Sequence, residues 1–318
     1  MNDHKLALNT SLVRGEPFTF SALIDAYMVA YRGRDRDQIN RLQYFIEHLG
    51  NHIASEIDPD VIDDCLIALQ KRGKLMNKGG TKPGGTIIAT RQPLANATIN
   101  RYRCSIQAVL TWARKKRLMP KGWTNPVNET QRLPEDNMRT RYLKPHEYEA
   151  LIKMCRISQW EKLTALVMMA VTTGARRGTL MGLRWNDIDL ERAEASVQRT
   201  KNGEPFVLIL IADVVNELKR FAPQHQKDAL VFCGRNPYKP ANFNKSWETA
   251  LKNAQLNNTD VVFHTLRHTH ASWLARQGTP LLAIADSMGH KSLAMTQRYA
   301  HLCVDSRKEM IHKTFLTV

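Results

Sequence analysis

The stretch MGHKSLAMTQRYAHL, residues 288–302, carries a lone tyrosine, Tyr299, nine positions after His290 and next to Arg298. LAMTQRYAHL reads as a short helix. A tyrosine on such a helix either fills a core or reacts, and one tyrosine beside an arginine decides neither. The polar residues elsewhere in the chain have to decide.

With 318 residues and 43% hydrophobic content the chain can build real cores, and two domains are expected. No apolar run approaches the roughly 18 to 20 residues that span a bilayer, and the polar opening MNDHKLALNTSLVRGE lacks the apolar stretch of a secretory signal. A cytoplasmic protein without a membrane partner is expected. The five cysteines, Cys65, Cys104, Cys155, Cys233 and Cys303, are scattered and form no Cys-x-x-Cys pair. They read as reduced packing residues, not as a disulfide framework or a thiolate metal site.

Charge is more informative. Lys and Arg number 46 against 30 Asp and Glu, a formal net charge of +16, which points to a polyanionic partner. Between Cys65 and Asn128 there are thirteen Lys or Arg and no Asp or Glu. A solvated basic face or a flexible loop would account for this, as would a surface that neutralises backbone phosphates.

FSALIDAYMVAY, INRLQYFIEHLG and DPDVIDDCLIALQKRG read as three helices from their apolar spacing. KLMNKGGTKPGGTIIATRQPLA is too rich in Gly, Pro, Lys and Thr to pack a core, and reads as a long mobile insertion or a short ribbon. NATINRYRCSIQAVLTWARKKR opens on a possible N-cap at Asn96 and aligns Ile99, Tyr102, Ile106, Leu110 and Ala113 on one face. Its basic residues Arg101, Arg103, Arg114, Lys115, Lys116 and Arg117 are the candidates for DNA contact. The Pro- and Asn-rich stretch from Pro120 to Asn137 reads as a linker. The expected organisation is a tail (1–17), a helical DNA-binding domain (18–119), a linker (120–140), a second domain (141–306) and a C-terminal tail (307–318).

The second half is mixed. KPHEYEALIKMC and WEKLTALVMMAVTT read as helices, the latter apolar all round and therefore central. EASVQRTKNGEPFVLIL reads as a hairpin turning at Asn202-Gly203, with Lys201 at its tip. Helices follow to the end. The fold class expected is mainly helical with a small β-hairpin or sheet, that is, α+β.

Polar residues at element ends are the candidates for chemistry. Thr-Gly-Ala-Arg at 173–176 closes the apolar helix, and Arg176 there either caps carbonyls or reacts. Lys201 alone is an ordinary turn lysine. In HTLRHTHAS, residues 264–272, helical spacing brings His264, Arg267 and His268 to one face, which attracts an anion. Zinc on His264 and His268, with His270 or His290, is the rival reading, but the metallohydrolase pattern needs a Glu where Thr265 stands. A phosphodiester under attack by an oxygen nucleophile unites these residues: guanidinium forks match its oxygens, a base activates a hydroxyl, and an acid protonates the departing sugar oxygen.

Thr-Gly-Ala-Arg followed by LMGLRWNDIDL, the hairpin RTKNGEP, HTLRHTHAS and MGHKSLAMTQRYAHL agree in order and spacing with one family. From about Thr19 to Leu302 the chain resembles a tyrosine recombinase of the phage integrase family. The resemblance implies a site-specific DNA recombinase of a phage or mobile element, with Arg176 and Arg267 clamping the scissile phosphate. Lys201 would be the acid for the leaving 5' hydroxyl, His264 a base, and His290 a hydrogen-bond partner of the phosphate. Tyr299 would be the nucleophile, forming a 3' phosphotyrosine. It also implies a helical core-binding domain and a mainly helical catalytic domain closing as a C-shaped clamp on double-stranded DNA. A homotetramer on two recombination sites, accessory DNA-bending proteins, and no metal or other cofactor are expected, with the C-terminal tail docking in cis or in trans. The chain has Thr179 where the family commonly has an acidic residue, and only about seventeen residues precede Phe18, so no arm-binding module is expected. A type IB topoisomerase shares the chemistry, and a non-catalytic DNA-binding regulator would share only the basic domain.

Overall fold

The computed structural model describes Leu12 and residues 16–77, 87–90, 92–135, 141–197, 205–222 and 227–316. The chain divides into two compact units, Met1–Met138 and Arg139–Val318, each with its own hydrophobic core.

In the first unit, α1 (Phe20–Ala30) starts at Thr19, whose hydroxyl accepts from the Ala22 N–H. After α2 (Gln38–Leu49), α3 (Pro59–Arg72) starts where Asp58 accepts from Val61 N at 2.8 Å, with Pro59 at the first helical position, where its missing N–H has no partner to lose. Strands β1 (Leu75–Asn77) and β2 (Ile87–Ala89) pair antiparallel, so the described part of the Gly- and Pro-rich segment is a ribbon; residues 78–86 lie outside the described residues. Helix α4 (Asn96–Lys115) buries Ile99, Ile106, Leu110 and Ala113, leaving Tyr102 half-buried, as the apolar stripe requires.

Two expectations for this unit are corrected. The residue capping α4 is Ala95, because the Asn96 amide is used elsewhere: it donates to the Pro134 carbonyl at 2.8 Å. The stretch from 120 to 135 is no linker. Trp123 donates to the Ser55 carbonyl, Val127 is fully buried, and Asn100 both donates to and accepts from Leu133, so this segment completes the core that α3 and α4 leave open. Arg103 also turns inward, its guanidinium bonding Thr130 Oγ1 at 2.8 Å and the Val127 carbonyl at 2.6 Å. It is a strut of the fold.

The second unit is built on α6 (Leu163–Thr173), whose residues from Leu163 to Val171 are all buried. Around it stand α5 (Pro145–Arg156), α7 (Arg177–Gly182), α8 (Ala212–Lys219), α9 (Asn244–Asn253), α10 (Thr265–Arg276) and α11 (Leu281–Ser287). Strands β3 (Ile188–Asp189), β4 (Glu194–Val197) and β5 (Phe206–Ile209) form an antiparallel sheet in that order, with Val197 opposite Phe206. The hairpin expected around Asn202-Gly203 is therefore present as β4 and β5, while its tip, residues 198–204, lies outside the described residues. Strand β3 is two residues long, too short for any alternation to announce it.

The C-terminal region departs most from expectation. The helix expected over 293–302 is replaced by two 3-10 turns, Leu293–Met295 and Gln297–Cys303. Where a separate tail was expected from 307, α12 runs from Val304 to Phe315, so the boundary falls inside a helix. No helix among the described residues is long and apolar enough to cross a membrane.

Candidate active site

The site begins at the end of α6. Gly174 ends that helix in the left-handed conformation (φ +63°), where a side chain would be strained. A Cβ there would also lie 2.6 Å from His270 Cδ2, so the close packing of α6 on α10 admits glycine only. This turn redirects the chain and sets Arg176, half-buried, at the N-cap of α7. Its neighbour Arg177 is held away, donating to Asn244 Oδ1 and lying over the Phe243 ring.

Helix α10 supplies the centre. Arg267 is only 4% exposed, and its Nη1 donates to the Gly174 carbonyl. Its Nη2 is buried and has no hydrogen-bond partner among the described residues. A buried cationic donor without a partner is costly unless an anion completes it, so this nitrogen fits a phosphate oxygen. Burial first, and then repulsion by Arg176, push the Arg267 pKa down to about 10, which leaves it charged at neutral pH, while Tyr299 pulls it back up. On the same helix His268 Nδ1 lies 2.6 Å from the Tyr299 hydroxyl, and the His264 ring meets the His268 ring edge-on at 4.9 Å.

The remaining groups come from the turns after α11. Gly289 (φ +60°) and His290 close that helix as a Schellman motif, His290 N donating to Ala285 O and Gly289 N to Asp286 O. His290 thus leaves the helix end at a fixed angle, and its Nδ1 meets Thr296 Oγ1 at 2.7 Å. A Cβ on Gly289 would sit 3.6 Å from the Phe206 ring, so the base of the β4–β5 hairpin packs beside this turn. Thr296 stands between the two turns, its carbonyl accepting from Tyr299 N at 2.9 Å, and both side chains are buried, Thr296 against His290 and Tyr299 against His268.

Burial, followed by the charges of Arg267, Arg176 and Arg298, pushes the His290 pKa down to about 4. A neutral His290 can offer a phosphate one N–H without adding a proton that the site must later lose. Burial raises the Tyr299 pKa, and Arg298 and Arg267 oppose that rise.

The structure thus brings Arg176, Arg267, His264, His290 and Tyr299 to one end of the second unit. Lys201 lies outside the described residues. Arg101 and the cluster Arg114, Lys115, Lys116 and Arg117 are exposed on α4 and its end in the first unit. Sequence reasoning missed the individual tasks of His268, Thr296 and His270: their types stood in the quoted motifs, but only three-dimensional neighbours reveal which group each one holds. Among the described residues no three His, Cys, Asp or Glu side chains are grouped to hold a metal ion.

Residues 141–305, just over half of the chain, match the family model described as the phage integrase family. The chain belongs to that family. As an integrase-type tyrosine recombinase it is an enzyme that cleaves and rejoins DNA strands. It is 28% identical over 287 residues to the integrase of Salmonella phage P22, covering 84% of this chain and 71% of that one. It is 22% identical to the tyrosine recombinase XerA of Saccharolobus solfataricus, covering 73% and 72%. Its fold is similar to that of the Tn1549 transposon integrase solved with transposon right end DNA, at 19% identity and a TM-score of 0.67 over 93% of this chain and 99% of that one. The lambda integrase dimer bound to a COC' core site gives 17% identity and a TM-score of 0.63, covering 89% and 77%.

His270 ties the integrase's site to its core, Nδ1 against the Val171 carbonyl at 3.0 Å and Nε2 against Ser287 Oγ at 3.1 Å. Burial pushes its pKa down to about 4 from the ordinary 6.5. Between those values the unfolded chain binds the extra proton, so this residue destabilises the fold progressively as pH falls from 6.5 to 4, by roughly 3 kcal/mol at the end. Thermal unfolding of the parent and of His270→Gln across that window should show the parent's advantage shrinking as pH falls; a constant gap contradicts the assignment.

Proposed function

We propose that this chain is the site-specific integrase of a phage or mobile element, and that it exchanges strands through a 3' phosphotyrosine on Tyr299. The observation that carries the reading is the buried Nη2 of Arg267, which has no hydrogen-bond partner among the described residues and lies on the helix whose next residue, His268, meets the Tyr299 hydroxyl. Arg267 and Arg176 clamp the scissile phosphate and stabilise the charge that builds on its non-bridging oxygens. His290 adds a neutral hydrogen bond. The Tyr299 oxygen attacks phosphorus, the bond to the 5' oxygen breaks, and Lys201 protonates that oxygen as it leaves. His264 serves as base for the attacking hydroxyl. Attack by a 5' hydroxyl from the partner strand then reverses these steps, so the ester's energy is kept and no nucleotide cofactor is used. The positive charge that divalent ions supply in other phosphoryl transfers comes here from two arginines and a lysine.

Double-stranded recombination sites are the partners, bound by a homotetramer spanning two of them, with accessory bending proteins where geometry requires. Helix α12 supports the assembly: Phe315 and Leu316 are 72% and 77% exposed, and Ile311 lies nearly half in solvent, an apolar end suited to docking in trans on a neighbouring protomer. Arg117 supports the DNA surface. It occupies the left-handed position that ends α4 (φ +57°), at a cost of about 1 kcal/mol relative to glycine, which suits a side chain kept for binding. The relatives lend no weight to a relaxing topoisomerase or a non-catalytic regulator.

Tyr299→Phe lacks only the hydroxyl, so it should bind DNA normally and form no denaturation-resistant adduct on a nicked suicide duplex; an adduct that survives means another nucleophile. Replacing Arg114, Lys115, Lys116 and Arg117 together with alanine should flatten log affinity against log salt by about three to four units if all four meet phosphates. An unchanged slope identifies that cluster as a solvated face.

A further inference from the structure

We propose that His268 is the positioning residue of the nucleophile: through Nδ1 it holds the Tyr299 hydroxyl at the height and angle from which it attacks the phosphate bound by its neighbour Arg267. The inference rests on the reading of Tyr299 as nucleophile and adds a residue to it. The contact is short, 2.6 Å, and both residues are only 6% exposed, so water does not compete for the hydroxyl. His268 follows Arg267 in the first turn of α10. One peptide unit therefore fixes the distance between the group that addresses phosphate and the group that holds the attacking oxygen.

The surroundings of both partners are built for this contact. The His264 ring stands edge-on to the His268 ring and limits its rotation. On the other side, the 3-10 turn Gln297–Cys303 carries Tyr299 inward, and the tyrosine packs with Ala271, Ala275, Ile284 and Met288. A tyrosine ring held only by apolar neighbours can slide and tilt; a hydrogen bond at its far end removes that freedom. Among reacting groups, displacement by about 1 Å costs on the order of a hundredfold in rate. His268 is distinct from the base assigned to His264, since its task is to hold the oxygen and not to keep its proton.

Nδ1 can be mimicked by the side-chain amide of asparagine, which reaches the same point without taking a proton, whereas glutamine places its amide nearer to Nε2. In single-turnover cleavage of a nicked suicide duplex, His268→Ala should be slower by on the order of a hundredfold with DNA affinity within about twofold of the parent. His268→Asn should recover to within about tenfold of the parent and His268→Gln should not. A substrate with sulfur in place of the bridging 5' oxygen needs no leaving-group acid, and it should leave the alanine defect intact. Parent-like cleavage by His268→Ala, equal losses in the Asn and Gln variants, or rescue by the sulfur substrate would each overturn the proposal. If the alanine variant does not fold, the contrast between Asn and Gln decides alone. Tyr299→Phe in the same assay keeps the two readings apart: an adduct there removes the nucleophile assignment itself, whatever His268 does.

Discussion

The guanidinium of Arg267, 4% exposed, with one nitrogen satisfied by a carbonyl and another without a partner among the described residues, is the constraint around which the second unit is arranged. Desolvating such a cation opposes folding by several kcal/mol, so the surrounding structure must hold it there by other means. The apolar α6 provides the rigid wall, the left-handed turn at Gly174 presents the carbonyl, and His270 joins that wall to α10 and α11. Gly174 and His270 therefore serve the site without belonging to its chemistry: a bulkier residue at 174 would push apart the two helices that place Arg176 and Arg267.

The same constraint explains the geometry after α11. The groups proposed to work with Arg267 must arrive from a segment that is short and turns inward twice, at Thr296 and at Tyr299. The bond from Tyr299 N to the Thr296 carbonyl, 2.9 Å, closes the chain over three residues and leaves both side chains buried. Cys303 ends this turn and α12 begins at the next residue. Whatever the apolar end of α12 docks upon is thereby coupled mechanically to the segment that carries the tyrosine, which is how assembly can govern cutting in the proposed tetramer.

Much of this was readable in the sequence because it depends on chemistry placed at element ends. Thr173-Gly174-Ala175-Arg176, the 264–268 cluster and the pair His290 and Tyr299 stand where apolar periodicity stops, and the all-apolar run of α6 announces a central helix. What escaped depends on who meets whom. Periods of 3 and 3.6 differ by only about 20° per residue, too little to separate over turns as short as Leu293–Met295 and Gln297–Cys303, so the segment bearing Tyr299 read as a helix. Pro and Asn between 120 and 135 signal irregular backbone, but not that this backbone would be stitched to α4 by Asn96, Asn100 and Arg103. The inward bonds of Arg103 were hidden for the same reason: in the sequence it differs in nothing from Arg101, which is exposed.

In the proposed reaction Tyr299 forms the covalent bond to DNA, and Arg267 holds the phosphate that it attacks. The most direct measurement is to trap the covalent complex on a nicked suicide duplex, digest both protein and DNA, and identify the joined fragment by mass spectrometry. The expected fragment is a phosphate ester between the Tyr299 oxygen and a DNA 3' end, formed together with a free 5' hydroxyl. A linkage to a 5' end, or to any residue other than Tyr299, would contradict the proposed reaction.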